Sequence, residues 1–165
     1  AIVIDSGFPI LYRQGRVGKR GKLFQVLKFR TMRTDAEQMT GPVFAAEHDP
    51  RVTRVGALLR SYRFDEFPQL INVLLGRMTL VGPRPERPHF FNVLRKDVPL
   101  FELRTFVRPG ITGWAQIRLP YAADANEARA KLEYDLYYVT HRTLSFDLAI
   151  MLETAGVALS KAGAR

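Results

Sequence analysis

Residues 64–74 read Phe64-Asp65-Glu66-Phe67-Pro68-Gln69-Leu70-Ile71-Asn72-Val73-Leu74, and the fold is organised around this stretch. Proline is well tolerated in a first helical turn and disfavours the helical region for the residue before it. A helix is therefore expected to start near Pro68, with Phe67 extended. Leu70, Ile71, Val73 and Leu74 supply its apolar side. Asp65 and Glu66 then fall at or just before a helix N-terminus, a place that favours anions and binds phosphates. Upstream, Thr53 is positioned to cap a helix through Val55, Leu58, Leu59 and Tyr62. The acidic pair sits between two helices.

Toward the N-terminus, Leu23-Phe24-Gln25-Val26-Leu27-Lys28-Phe29-Arg30 is rich in β-formers and reads as a strand with Lys28 and Arg30 on one face. Residues 5–21 are rich in Gly, Pro, Arg and Lys and take no assigned element. Residues 34–51, with Gly41-Pro42 and Asp49-Pro50, read as a loop or short helical connection. Toward the C-terminus, Thr79-Leu80-Val81 reads as a short strand entering Gly82-Pro83-Arg84-Pro85. Pro83 and Pro85 stiffen the backbone on either side of Arg84, and a rigid guanidinium is a good fork for phosphate.

Residues 86–96 can form a further helix, and Arg108-Pro109-Gly110-Ile111-Thr112-Gly113-Trp114 reads as a turn-rich segment holding the only Trp. Asp124 and Glu127 resemble a capping pair opening a helix through Ala128, Leu132, Leu136 and Val139. Asp135 lies on the apolar stripe of that helix, so burial demands a partner, and a salt bridge to an arginine is expected. Ser145 is the expected cap of a last helix over residues 146–159, apolar on nearly every side and too short to span a bilayer. Tyr134, Tyr137 and Tyr138 suit core and helix contacts, and amphipathic aromatics also suit a membrane interface.

The 165 residues fit one domain, and 47% hydrophobic with 25% charged residues is ordinary for a folded globule. A net charge of +9 attracts phosphate, whether in nucleic acid, anionic lipid or a nucleotide. The absence of Cys excludes disulfides, thiolate nucleophiles and cysteine metal sites, zinc fingers included. The three His, at 48, 89 and 141, have neither metal spacing nor a Ser partner and receive no catalytic role. The chain opens Ala1-Ile2-Val3-Ile4-Asp5 inside an apolar stretch, so the expectation is a fragment of a longer protein.

Adjacent acids ordinarily do no more than offset the positive end of a helix. Here they are flanked by two phenylalanines in a chain thick with arginine. Neighbouring side chains diverge, so two separate jobs are the better reading: one carboxylate as nucleophile, the other as metal ligand. Lys28, Arg30 and Arg84 are either solvated surface cations or the counter-charge of a diphosphate. Asp147, in a first helical turn, needs no functional explanation by position alone.

The ordered motifs Tyr12-Arg13-Gln14-Gly15-Arg16-Val17-Gly18, Lys28-Phe29-Arg30-Thr31-Met32, residues 64–74, Val81-Gly82-Pro83-Arg84-Pro85-Glu86, Arg108-Pro109-Gly110-Ile111-Thr112-Gly113-Trp114-Ala115-Gln116 and Tyr134-Asp135-Leu136-Tyr137-Tyr138 carry a resemblance. Together they resemble the monotopic polyprenyl-phosphate phosphoglycosyl transferases, the bacterial sugar transferase family, almost end to end. The resemblance implies that Asp65 attacks the sugar-bearing phosphorus of a UDP-sugar and expels UMP, after which polyprenyl phosphate takes the phosphosugar. It also implies that Glu66 helps hold Mg²⁺, and that Lys28, Arg84 and Asp147 matter for activity with Pro83 and Pro85 near the nucleotide.

Two departures stand out: Phe64 and Phe67 replace leucines usual in the family, and Ile117-Arg118-Leu119 follows Gln116 where many members carry Val-Asn-Gly-Arg. The latter puts the role of the missing arginine in question. Pro85-Glu86-Arg87-Pro88, Pro120-Tyr121-Ala122 and the ending Lys161-Ala162-Gly163-Ala164-Arg165 resemble the exopolysaccharide-initiating subgroup, for which UDP-glucose or UDP-galactose is expected.

The fold implied is α+β over residues 1–165, mostly helical with a small sheet and amphipathic membrane-surface helices. A re-entrant membrane helix is expected upstream, with residues 1–4 as its tail. The implied partners are a UDP-sugar, polyprenyl (undecaprenyl) phosphate and membrane lipids, without nucleic acid, at the cytoplasmic face of a bacterial inner membrane. Three rival readings are a basic nucleic-acid-binding module, a metal-dependent phosphohydrolase that delivers the phosphosugar to water, and an inactive peripheral membrane adaptor.

Overall fold

The structure, a computed structural model, describes residues 1–36, 49–119 and 125–159. Its elements in order are α1 (Ile2–Ser6), β1 (Leu11–Val17), β2 (Leu23–Phe29), α2 (Arg54–Ser61), α3 (Gln69–Leu74), β3 (Thr79–Val81), α4 (Pro88–Asp97), β4 (Gly110–Thr112), α5 (Trp114–Arg118), α6 (Ala125–His141) and α7 (Leu144–Leu159). Single 3₁₀ segments at Lys19–Gly21, Phe64–Glu66 and Phe101–Phe106 link them. The class is α+β, helix-rich, with two small two-stranded sheets rather than one.

The basic segment before β2 is itself a strand. β1 pairs antiparallel with β2, from Leu11 opposite Phe29 to Val17 opposite Leu23. Its Arg, Gln and Gly content hides it, because its order comes from the β2 ladder rather than from its own apolar pattern. The turn-rich segment likewise contains β4, which pairs parallel with β3. The approach is close enough to require glycine: a Cβ on Gly110 would stand 2.1 Å from the Gly82 nitrogen.

Asn72 fastens α3 to the hairpin. Fully buried, it accepts from the Leu27 amide at 3.0 Å and donates to the Gln25 carbonyl at 2.7 Å. Its side-chain amide thus takes the place of a third strand on the open edge of β2. α2 approaches the segment after β2 just as closely, since a Cβ on Gly56 would lie 2.1 Å from the Thr31 carbonyl oxygen. Thr53 caps α2, its hydroxyl accepting from Gly56 N at 3.0 Å, as expected.

One core cluster holds Val17, Phe91, Val98, Phe101, Ala128 and Leu132; another holds Val81, Val107, Tyr138 and Ile150, with Trp114 and Phe146 against it. α6 serves both, Leu132 in the first and Tyr138 in the second. No helix of the described residues is long and apolar enough to cross a membrane.

Several local expectations need correction. Phe67 is helical, with φ −54° and ψ −39°, because the 3₁₀ turn before it runs directly into α3 and outweighs the steric bias of Pro68. Thr143, not Ser145, caps α7: its hydroxyl accepts from Phe146 N at 3.1 Å, while Ser145 lies inside the helix. α4 starts at Pro88, which leaves Glu86 outside it. The Asp124 half of the proposed capping pair, residues 37–48 of the proposed loop with His48, the Pro120-Tyr121-Ala122 stretch and the 161–165 ending lie outside the described residues.

Replacing Asn72 by Ala strands an amide and a carbonyl of β2 in the interior, and the expected loss is about 3 kcal/mol of folding stability. Chemical denaturation of the two proteins measures it. A loss below about 1 kcal/mol would show that α3 is held by apolar contact alone.

Candidate active site

Asp65 and Glu66 occupy the 3₁₀ turn between α2 and α3, and the turn inverts the usual polarity. The acids are 9% and 8% exposed, while Phe64 and Phe67 beside them are 45% and 57% exposed. Arg63 sets this up. Its left-handed backbone, φ 56° and ψ 20°, is unusual for a residue other than glycine, and it rotates the following turn so that the carboxylates face inward.

Inside, Glu66 Oε1 accepts from Lys28 Nζ at 2.8 Å and from Arg84 Nη2 at 2.7 Å, and Oε2 lies 3.4 Å from Arg84 Nη1. Burial alone would raise the Glu66 pKa, but the Arg84 and Lys28 charges and their hydrogen bonds outweigh it and hold the carboxyl well below its ordinary range. Glu66 is thus ionised. Asp65 makes no hydrogen bond or ion pair among the described residues; burial raises its pKa, Lys28, Arg60 and Arg84 oppose that, and Glu66 adds to it. The site therefore holds one carboxylate clamped between cations and one left available in their field.

Each cation comes from a different element. Lys28 projects from β2, and burial lowers its pKa against the pull of Glu66. Arg60, on α2, donates from Nε to the Thr31 hydroxyl at 2.9 Å. Arg84 stands on a segment whose carbonyls are all held: Gly110 N donates to Pro83 O (3.1 Å), Arg104 to Arg84 O (3.0 Å), Arg16 to Pro85 O (2.9 Å) and Val17 N to Glu86 O (2.9 Å). Pro83 and Pro85 contribute no N–H and restrict φ, so the segment is fixed from both sides.

Behind it lies a second set of charges. Glu86 Oε1 takes Lys131 Nζ at 2.8 Å and Arg104 at 3.3 Å, and Arg104 forms an ion pair with Asp135 at 2.6 Å. The arginine partner expected for Asp135 is therefore Arg104. Burial would raise the Glu86 pKa, yet Lys131 and Arg104 pull it from 4.5 to about 2.

Of the residues singled out in the sequence, Lys28, Asp65, Glu66 and Arg84 come together. Arg30 does not join them. It lies just past β2, buried, and its guanidinium donates to the carbonyls of Ser6, Gly7, Pro9 and Met32, tying α1 and the following turn to the hairpin. Asp147 accepts from the Tyr138 hydroxyl at 2.9 Å, a hydroxyl that also lies 3.1 Å from Val81 O at the end of β3, so it stands at the root of the Pro83 segment. Arg118, two residues beyond Gln116, stacks over Trp114 and pairs with Glu153.

The reading from sequence missed Arg60, Arg104, Glu86 and Arg16. Arg16 and Glu86 sat in quoted motifs, whereas Arg60 and Arg104 carried no local signal.

Mg²⁺ commonly binds through one or two carboxylates, keeping water and taking substrate phosphate as further ligands. No cluster of three or more candidate ligands exists among the described residues. Glu66 Oε2, with only its 3.4 Å contact, and the unbonded Asp65 carboxylate fit that sparse donor set.

A family model described as bacterial sugar transferase matches residues 1–161. A UDP-N-acetylgalactosamine-undecaprenyl-phosphate N-acetylgalactosaminephosphotransferase of Aeromonas hydrophila is 44% identical over 164 residues, which is 99% of this chain and 38% of that protein. The exopolysaccharide production protein PSS of Rhizobium leguminosarum bv. phaseoli is 43% identical, covering 93% of this chain and 79% of its own length. A UDP-glucose:undecaprenyl-phosphate glucose-1-phosphate transferase of Escherichia coli K12 is 41% identical over 93% of this chain and 33% of its own length. The chain thus spans between a third and four fifths of these relatives.

Glu86 binds its proton more weakly folded than unfolded. Its stabilising contribution is therefore complete above pH 4.5 and is lost as pH falls from there toward 2. The difference in stability between the wild type and Glu86→Gln is expected to shrink by about 3 kcal/mol across that window. Denaturation at a series of pH values measures the difference, and a pH-independent gap would contradict the pairing.

Proposed function

The chain belongs to the bacterial sugar transferase family, and from that premise we propose that it transfers a hexose 1-phosphate from a UDP-sugar to polyprenyl phosphate through a covalent phosphosugar–Asp65 intermediate. The observation that carries this reading is the pairing of Asp65 with Glu66. Two adjacent buried acids stand in one cationic site, and only one of them is neutralised by direct contacts.

In the first step the Asp65 carboxylate forms a bond to the sugar-bearing phosphorus, the bond to the bridging diphosphate oxygen breaks, and UMP leaves with that electron pair. In the second, an oxygen of polyprenyl phosphate attacks the same phosphorus, the Asp65–phosphorus bond breaks, and the carboxylate is regenerated. Lys28, Arg60 and Arg84 supply positive charge where the non-bridging oxygens gather negative charge. Glu66 keeps Lys28 and Arg84 oriented, and it would hold Mg²⁺, which supplies further charge neutralisation to the diphosphate when bound.

The outer surface of the site supports a lipid acceptor. Tyr62, Phe64, Phe67, Leu70, Ile71, Leu74 and Leu75 are all exposed around the acidic turn, with Leu74 at 86%. Such a set of exposed apolar side chains, with the Tyr62, Phe64 and Phe67 rings in mutual contact, suits the lipid side of a membrane interface. Seated there, the turn would hold Asp65 at the depth of a lipid phosphate, on the cytoplasmic face of a bacterial inner membrane. The transferase names of the relatives favour undecaprenyl phosphate as acceptor and a UDP-hexose or UDP-N-acetylhexosamine as donor. The name of the Rhizobium relative favours exopolysaccharide synthesis.

Asp65→Asn removes the nucleophile while keeping shape, and is expected to lower UMP release and lipid-linked product by at least ~10⁴-fold across a panel of UDP-sugars. Retained turnover in a folded variant overturns the nucleophile assignment. Free sugar phosphate in place of lipid-linked product would make the enzyme a phosphohydrolase.

A further inference from the structure

The buried charges behind Arg84 call for an explanation of their own. Arg104 and Asp135 have side chains 4% and 2% exposed, Glu86 is 9% exposed, and Lys131 closes the group at 14%. Two acids and two bases make it neutral. Buried ion pairs of this kind add little net stability, since a well-packed apolar set of the same volume is often at least as stable. An apolar set, however, could not donate a hydrogen bond to a backbone carbonyl, and Arg104 does so: Nη2 reaches Arg84 O at 3.0 Å. The Phe101 ring, 4.9 Å from the guanidinium, covers it.

We propose that Arg104, braced by Asp135 and Glu86, is a positioning residue that fixes the direction of Arg84 through the Arg84 carbonyl. This rests on the reading above, in which Arg84 faces the donor diphosphate. Arg84 lies between two prolines, so its side-chain direction is set by the tilt of the two flanking peptide planes. Gly110 N and Arg104 hold the carbonyls of those two planes, at Pro83 O and Arg84 O, and Arg16 and Val17 N hold the next two, at Pro85 O and Glu86 O. Asp135 comes from the middle of α6 and Lys131 from one turn earlier, so α6, the longest helix among the described residues, is tied to the phosphate site through Arg104. The guanidinium fork is needed because one group must meet Arg84 O, Glu86 and Asp135 together, and a lysine ammonium lacks that planar geometry.

A double-mutant cycle on the full-length protein tests the claim, with Arg84→Lys, Arg104→Lys and the pair compared for UDP-sugar kcat/KM and for UDP binding by calorimetry. Arg104→Lys is expected to lower kcat/KM by about 10-fold in the wild-type background and by less than about 2-fold once Arg84 is Lys, because an effect routed through Arg84 disappears with it. Val98→Ala, which loosens the core cluster that holds Phe101 and Leu132 without touching the Arg84 segment, is expected to lower the melting temperature and leave kcat/KM unchanged. Independent, multiplicative effects of the two substitutions overturn the proposal, as does an equal loss of kcat/KM in Val98→Ala. Should Arg104→Lys fail to fold, Asp135→Asn takes its place in the same cycle with the same criterion. A wild-type protein without transferase activity would count against the proposed function, and the binding cycle would still decide whether Arg104 acts through Arg84.

Discussion

The Glu66 carboxylate, clamped between Lys28 and Arg84, is the contact on which the rest of the architecture depends. It gathers β2, the turn between α2 and α3, and the Pro83–Pro85 segment at one point. Burying any of these charges alone would cost several kcal/mol, and removing one partner of a buried pair typically costs about 3–5 kcal/mol. The surrounding backbone accordingly shows a high density of fixed groups. Asn72 closes the open edge of β2, Thr53 and Thr31 hold α2 against the hairpin, and four consecutive carbonyls anchor the segment that carries Arg84.

The polarity of the acidic turn links this interior to the surface. In a 3₁₀ turn residues three apart share a side, so with the two acids facing inward Phe64 and Phe67 come out together, onto the same side as Leu70, Ile71 and Leu74. One backbone conformation, made possible by the left-handed Arg63, thereby produces both the charged site and the apolar skin over it. For the proposed reaction between a water-soluble nucleotide sugar and a lipid phosphate, that juxtaposition would bring the two phases within a side chain of each other.

Much of this was legible in the sequence wherever a local rule applied. The Thr53 cap, the helix after Pro68, the strand at β2 and the partnering of Asp135 by an arginine each follow from propensity, capping or the cost of burying a charge. The co-location of Lys28, Arg84 and the acids came from matching motifs, since no spacing rule joins positions so far apart. The rest depended on tertiary context. β1 and β4 are strands because of what they pair with, Phe67 is helical because the turn feeds α3, and Arg30 faces α1 because β2 ends one residue earlier. Arg104 is an ordinary arginine in sequence, and only folding shows that its guanidinium is spent on a carbonyl, a glutamate and an aspartate.

The central claim is that, of two adjacent buried acids, Glu66 is held by cations and Asp65 carries the chemistry. Its most direct test is mass spectrometry of the full-length protein incubated with Mg²⁺ and a UDP-sugar in the absence of lipid acceptor, followed by acid-quenched proteolysis to locate any added mass. The expected result is a phosphosugar adduct on the peptide containing residues 64–74, fragmenting to Asp65 and discharged on addition of polyprenyl phosphate. An adduct on Glu66, or lipid-dependent turnover with no protein adduct under single-turnover trapping, would contradict the division of roles between the two carboxylates.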